Sequence, residues 1–228
     1  MHSYEGLYID LSILNEIEKY YKKGFIRGVT TNPSIMVNNG LDKGLENIKK
    51  TSIKIANLVN PYPVSIEVLS EDHGLAKEQA TEFSSWAPNI VIKLTIHGPN
   101  GKPDNLSLIK ELSEKDISIN ATAMMSIQQC FLAAAAGASY VSLFCGRVNN
   151  MGYDSKLELG KLRNLIDKFN YKSKIIACSL REASNVMDWL ASGAHIVTVP
   201  PSFIDMLIVH PYSKETIQMF LEDASKLI

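Results

Sequence analysis

Asn89-Ile90-Val91-Ile92-Lys93-Leu94 is the stretch on which the reading of this chain turns. A short run of branched apolar residues bounded by polar ones reads as a strand buried on both faces. It ends on a lysine, and a helix-like stretch from Leu106 to Leu112 follows it. The same unit recurs outward in both directions. Towards the N-terminus come Pro63–Val68 with a helix near Gly74–Ser84, Ile26–Thr31 with Gly44–Leu58, and Leu7–Asp10 with Ser12–Tyr21. Towards the C-terminus come Ile117–Ala121 with Ser126–Ala136, Tyr140–Phe144 with Lys156–Phe169, and Ile175–Cys178 with Glu182–Ala191. His195–Val199 closes the series, followed by a short helix and a terminal one near Lys214–Leu227.

Strict strand–helix alternation predicts a parallel sheet. The strand ends fall roughly 27 residues apart, a fair size for a βα module, and eight such units predict closure into a single (β/α)8 TIM barrel over residues 1–228. No GxGxxG turn follows the first strand, as an open dinucleotide-binding sheet would require. No Pro/Gly/Ser-rich linker or low-complexity segment divides the chain, so one domain is expected.

The bulk numbers narrow the function. Hydrophobic residues make up 46% of the chain, enough for a substantial core. The 23 basic and 24 acidic side chains nearly cancel, which gives no electrostatic reason to expect nucleic acid or an anionic membrane as partner. The N-terminal MHSYEGLYIDLS lacks the basic and apolar regions of a secretory signal, and no apolar run reaches the ~20 residues that span a bilayer. Cys130, Cys145 and Cys178 are scattered and stand in no metal-binding spacing with the five histidines. They read as reduced, mostly buried thiols of a cytoplasmic protein, and no metal is expected.

In such a barrel the site lies at the C-terminal ends of the strands. Asp10 ends the first strand, Thr30-Thr31-Asn32-Pro33-Ser34 the second, Glu67 the third and Lys93 the fourth. Asn120 and Thr122 stand on the fifth, Ser142 on the sixth with Phe144 and Arg147 just beyond, and Ser179 follows the seventh with Arg181 after it. Each has a bland reading. Asp10 is well placed to cap the next helix, Asn-Pro is a turn dipeptide, and the arginines suit surface ion pairs. Glu67, between Ile66 and Val68, needs a partner if it is buried. Lys93 at the end of a buried strand favours its neutral, nucleophilic amine, and two carboxylates at neighbouring strand ends favour catalysis over capping. Two guanidinium groups offer bidentate geometry to a phosphate.

These residues resemble the transaldolase and fructose-6-phosphate aldolase family. The resemblance is carried by Leu7-Tyr8-Ile9-Asp10, Gly28-Val29-Thr30-Thr31-Asn32-Pro33-Ser34, Ile90-Val91-Ile92-Lys93, Asn120-Ala121-Thr122, Tyr140 to Arg147, Ala177 to Arg181 and His210-Pro211. It implies that Lys93 forms an imine with a ketose carbonyl, that Asp10 moves the C4 hydroxyl proton, and that Glu67 and Thr122 hold a shuttling water. Asn32, Asn120 and Ser142 would bind hydroxyls of the three-carbon unit; Arg147, Ser179 and Arg181 would grip the distal phosphate; Thr31 and Phe144 would complete the substrate site. No cofactor is implied, sugar phosphates are the implied partners, and a ring-shaped homo-oligomer is implied by the short subfamily. There, glutamate at position 67 and phenylalanine at 144 go with transaldolases, whereas glutamine and tyrosine go with aldolases. The chain departs from the pattern at Leu94, Met125, Leu143, Asn149-Asn150 and the polar loop from His97 to Asn105. Those departures leave open a free aldolase, a transaldolase acting on a modified sugar, or a binding protein that has lost turnover; His97 is a candidate substrate contact or a merely solvated residue. The segment from Ile217 to Ile228 is expected to pack on its own barrel.

Overall fold

The computed structural model describes residues 4–102 and 104–228. Met1, His2 and Ser3, which begin the stretch read for a secretory signal, and Pro103 of the polar loop lie outside the described residues. Eight strands pair in chain order, all parallel, and the last returns to the first to close a barrel: β1 Gly6–Asp10, β2 Ile26–Thr30, β3 Val64–Glu67, β4 Ile90–Thr95, β5 Ile119–Met124, β6 Tyr140–Leu143, β7 Lys174–Ala177 and β8 Ile196–Val199. The predicted (β/α)8 barrel is the observed one.

The helices follow from familiar terminal chemistry. Between the strands run α1 Leu14–Tyr21, α2 Pro33–Asn38, α3 Leu45–Val59, α4 His73–Ser84, α5 Leu106–Ser113, α6 Ile127–Ala135, α7 Cys145–Asn150, α8 Ser155–Lys168 and α9 Ser184–Ala191. After β8 come α10 Pro201–Ile208 and α11 Pro211–Ala224. Asp72, Ser126 and Asp154 cap α4, α6 and α8 by accepting from backbone N–H groups one to three residues on, which satisfies donors that have no partner inside the helix. The alanine run of α6 presents Ala133 and Ala134 to the interior, where small side chains let the helix approach the sheet.

Three expectations need correction. The Asn-Pro dipeptide does more than turn the chain: Asn32 caps α2, its Oδ1 accepting from Ile35 N at 2.8 Å, with Pro33 in the first turn. Asp10 is not a helix cap, because α1 begins only after Ile13 and the Ser12 hydroxyl instead donates to Asn39. The terminal helix does not pack on the barrel. No residue of α11 is buried, and Ile217, Met219, Phe220 and Leu221 are more than half exposed. Helical periodicity found the helix, but no neighbour within the chain covers its apolar side chains. Among the described residues no helix is long and apolar enough to cross a membrane.

Register places the polar groups. Glu67, Lys93 and Asn120 are Cα partners across β3, β4 and β5. Side chains of partnered residues on parallel strands point to the same face, so these three share a layer inside the barrel mouth. Asp10, Thr30 and Ser65 are partners across β1, β2 and β3 in the same way. In β5 the register to β6 shifts between Ala121 and Met124, and Ala123 adopts φ 59°. A bulge of this kind re-aims the side chain beside it, here Thr122.

Candidate active site

The C-terminal ends of the strands surround a cavity of about 220 Å³. It is smaller than the ~300–1,000 Å³ typical of drug-sized ligands, so it suits a compact polar molecule. Its floor is buried and its rim is wet. Asp10, Lys93, Thr122 and Ser142 line the floor, while Asn32, Phe144, Arg147, Ser179 and Arg181 line the wall and rim. The structure therefore brings together most of the residues singled out from the sequence.

Lys93 is only 6% exposed. Its Nζ donates to the Thr31 carbonyl at 3.0 Å and lies 3.3 Å from Glu67 Oε2. Burial disfavours a bare ammonium, and the adjacent carboxylate supplies the partner that Glu67 itself also needed. An amine held by one carbonyl and one carboxylate keeps a fixed direction, pointing at the cavity. Thr31 serves through this carbonyl; its hydroxyl is turned away and donates to Ser65 O at 2.9 Å.

Burial raises the Asp10 carboxyl above the usual carboxylate range. The positive charge of Lys93 and a 2.6 Å hydrogen bond from the Thr30 hydroxyl oppose that shift. A carboxylate with a raised affinity for protons is suited to take one and give it back near neutral pH.

Beneath the cavity a polar chain fixes Asn120, which is fully buried. The Ser142 hydroxyl donates to Asn120 Oδ1 at 2.7 Å, and Asn120 Nδ2 donates to Ser65 Oγ at 3.1 Å. Asn120 thus acts on the cavity through Ser142, which lines it. Thr122 differs from these: its Oγ1 is buried, faces the cavity and has no hydrogen-bond partner. An unmet buried hydroxyl costs about 1–3 kcal/mol, so it marks a place for a ligand atom or water.

The rim is built by close backbone approach. Gly146 at the start of α7 lies against the Ser179 carbonyl, where any Cβ would collide. Ser179 itself sits at φ 64°, a left-handed conformation rare outside glycine. This pairing draws Arg147 and Arg181 to one side of the mouth. The Arg147 guanidinium lies 5.5 Å from the centre of the Phe144 ring, which holds it over the opening. Strand–helix alternation did not reveal α7, because six residues are too short for a periodic signal, so Arg147 was read as loop and lies on a helix.

Two predicted positions fall elsewhere. Glu67 touches Lys93 from an adjoining cleft of about 490 Å³, whose walls include Val68, Leu69, His97 and Pro99. His97 lines that cleft and not the cavity over Lys93. Leu94, Met125, Leu143, Asn149 and Asn150, where the chain departs from the family pattern, are likewise absent from the cavity wall. Conversely, Thr30, Cys178 and Thr198 line the cavity without having been chosen. Cys178 is buried against Cys145, which keeps it a thiol, and it donates to the Leu143 carbonyl. Thr30 and Thr198 were legible in principle, since each is a hydroxyl residue within a buried strand end.

Comparison with known proteins agrees with the geometry. The model of the family described as transaldolase/fructose-6-phosphate aldolase matches residues 7–228. The chain is 36% identical to a "Probable transaldolase" of Carboxydothermus hydrogenoformans, covering 95% of this chain and 96% of that one. It is 35% identical to one from Bacteroides thetaiotaomicron, covering 96% and 98%. Among solved structures it is similar to thiamine phosphate pyrophosphorylase from Pyrococcus furiosus, with TM-score 0.61, 12% identity and 86% of each chain covered. It also resembles a mandelate oxidase, with TM-score 0.56, 11% identity, and 85% of this chain against 64% of that one. Those two show the barrel alone. With a buried lysine, two carboxylates and two rim arginines placed as the sequence motifs require, and a family match that runs from the first strand to the last residue, the chain belongs to the transaldolase/fructose-6-phosphate aldolase family.

Proposed function

We propose that the protein catalyses class I aldol transfer of the transaldolase type, moving a dihydroxyacetone unit between sugar phosphates. The observation that carries this is the buried Lys93 amine, held by Glu67 and the Thr31 carbonyl at the floor of a cavity that also contains Asp10. The amine adds to the C2 carbonyl of a ketose phosphate and water leaves, giving an imine. Glu67 and the unpartnered Thr122 hydroxyl hold the water and pass the protons of this step. The C3–C4 bond then breaks, its electrons flow into the imine to form an enamine, and Asp10 accepts the C4 hydroxyl proton as the aldehyde forms. In the reverse sense the enamine carbon attacks the carbonyl of an acceptor, and Asp10 returns its proton to the new alkoxide. Hydrolysis of the imine frees the product and the amine. Ser142, positioned by Asn120, and Asn32 hold the hydroxyls of the three-carbon unit. Arg147, Ser179 and Arg181 take the phosphate at the wet rim, where guanidinium forks match its oxygens.

Borohydride reduction in the presence of fructose 6-phosphate tests the mechanism. A stable adduct mapped to Lys93 by peptide mass is expected, and its absence with every ketose phosphate would remove the reading. Transfer, as against release of free dihydroxyacetone, is supported by Glu67 and Phe144. Glu67→Gln with Phe144→Tyr is expected to shift products towards free dihydroxyacetone. Because the positions that depart from the family pattern stand outside the cavity wall, ordinary sugar phosphates are the substrates proposed. We also propose a homo-oligomer, supported by the uncovered apolar side chains of α11. Light scattering of the whole chain should give a mass several times that of one subunit, and a monomer would remove that proposal.

A further inference from the structure

Asp10 does not stand alone at the end of β1. Its Oδ1 accepts from the Thr30 hydroxyl on β2 at 2.6 Å, and Thr30 Oγ1 is hydrogen-bonded in turn to Thr198 Oγ1 on β8. A hydroxyl carries one hydrogen. With that of Thr30 committed to a carboxylate, Thr198 must be the donor of the second bond. The chain therefore runs in one direction, Thr198 to Thr30 to Asp10. Both hydroxyls are nearly inaccessible, at 4% and 2% exposure, so water cannot substitute for either. Asp10 Oδ2 has no hydrogen-bond partner among the described residues, and it is the oxygen left for substrate.

We infer that Thr198 is a positioning residue for Asp10, acting through Thr30 to aim the carboxylate and hold it ready to accept a proton. This rests on the role proposed for Asp10. Successive hydrogen bonds polarise one another in a low-dielectric site, so a donor behind Thr30 strengthens the bond that Thr30 makes to the carboxylate. It also fixes the Thr30 rotamer, and through it the carboxylate plane. The two threonines are 168 positions apart in sequence and lie on strands that flank β1 on either side. The arrangement exists only because the barrel closes. The other ionisable groups around Asp10 are Lys93 from β4, Cys178 from β7, Arg147 and Arg181 from the rim, and Glu67 beyond Lys93. None of them bonds to Thr198, so substitution there leaves them in place.

The test compares Thr198→Val, Thr198→Ala and Thr198→Ser in the full chain, with Asp10→Asn as reference and folding checked by thermal unfolding. Val and Ala are expected to lower kcat about 5–10-fold, the worth of one supporting hydrogen bond, while KM for the phosphorylated donor stays within about twofold. The acid limb of the kcat profile should move up by about half a unit to one unit, because Asp10 loses support for its ionised form. Borohydride trapping at Lys93 should proceed as in the unaltered protein, and Ser should restore both kcat and the limb. Unchanged kcat and an unmoved limb in Val or Ala would overturn the inference. So would a Ser variant as impaired as Val with no movement of the limb, which would mean that the methyl group matters and not the hydroxyl. Full activity in Asp10→Asn would instead sink the proposed mechanism itself, and the positioning role with it.

Discussion

The two ends of the barrel offer cavities of similar size but opposite chemistry. The cleft at the N-terminal end measures about 260 Å³, against about 220 Å³ for the one over Lys93. Volume does not tell them apart. The N-terminal cleft is lined by Pro61, Pro63, Pro88 and uncharged neighbours, and the polar groups near it are spent on the backbone. Asn89 donates both amide hydrogens, to Ala56 O at 2.9 Å and Tyr62 O at 2.8 Å. Tyr8 donates to Tyr4 O, and His195 Nδ1 accepts from Ile175 N at 3.0 Å. At the C-terminal end an amine meets a carboxylate, a second carboxylate is raised by burial, and a hydroxyl is left without partner. Satisfied polar groups hold a fold together; unsatisfied ones around a cavity store interactions for a ligand. The comparison predicts that substitutions at one end cost activity and at the other cost stability.

The largest effect should follow Lys93→Met, which keeps length and burial but removes the nucleophile. Turnover is expected to drop by about a thousandfold or more, with no borohydride adduct and little change in unfolding temperature. Activity above a tenth of normal would break the contrast. Next, Arg181→Leu should raise KM for a phosphorylated donor about tenfold, with kcat nearly unchanged, because a charge-assisted bond at an exposed rim is lost. An equal loss with an unphosphorylated ketose would argue against phosphate recognition. At the other end, Asn89→Ala strands two carbonyls and should cost about 1–3 kcal/mol of stability in chemical denaturation while leaving kcat intact. A loss of kcat in a folded Asn89→Ala protein would show that the ends are not separate.

The smallest effect concerns pH. Burial, with help from the charges of Arg163 and Lys174, lowers the His195 pKa from 6.5 to about 4. The unfolded chain therefore binds more protons than the folded one between those values. Stability contributed by neutral His195 is full above pH 6.5 and is lost as pH falls towards 4. His195→Gln should flatten part of the acid-side decline in unfolding temperature, by roughly 2 °C, without moving the kcat profile. An unchanged decline would remove His195 as its source.

Much of the mouth was legible in the sequence because strand ends concentrate it. A reactive side chain after a branched apolar run falls at a predictable place once alternation gives the barrel. Lys93, Glu67, Asp10 and Ser142 were found in this way. Arg147 was found too, but its helix was not. The capping role of Asn32 and the unbonded hydroxyl of Thr122 depend on a neighbouring N–H and on a bulge, which no run of residues announces. The exposure of α11 was misread for a related reason: amphipathic periodicity says that one face wants cover, not where the cover comes from.

The order of the strands, their parallel sense and the identity of the reactive residues were determined by the sequence alone, since each depends on local pattern and on the number of units. Which of those residues meet was decided by the tertiary structure. Glu67 pairs with Lys93 through the register of β3 on β4, Asn120 reaches the cavity only through Ser142, and Thr198 meets Thr30 only across the closed seam beside β1. Contacts between side chains tens to hundreds of positions apart are fixed by shear, register and closure, and these are properties of the assembled sheet, not of any segment within it.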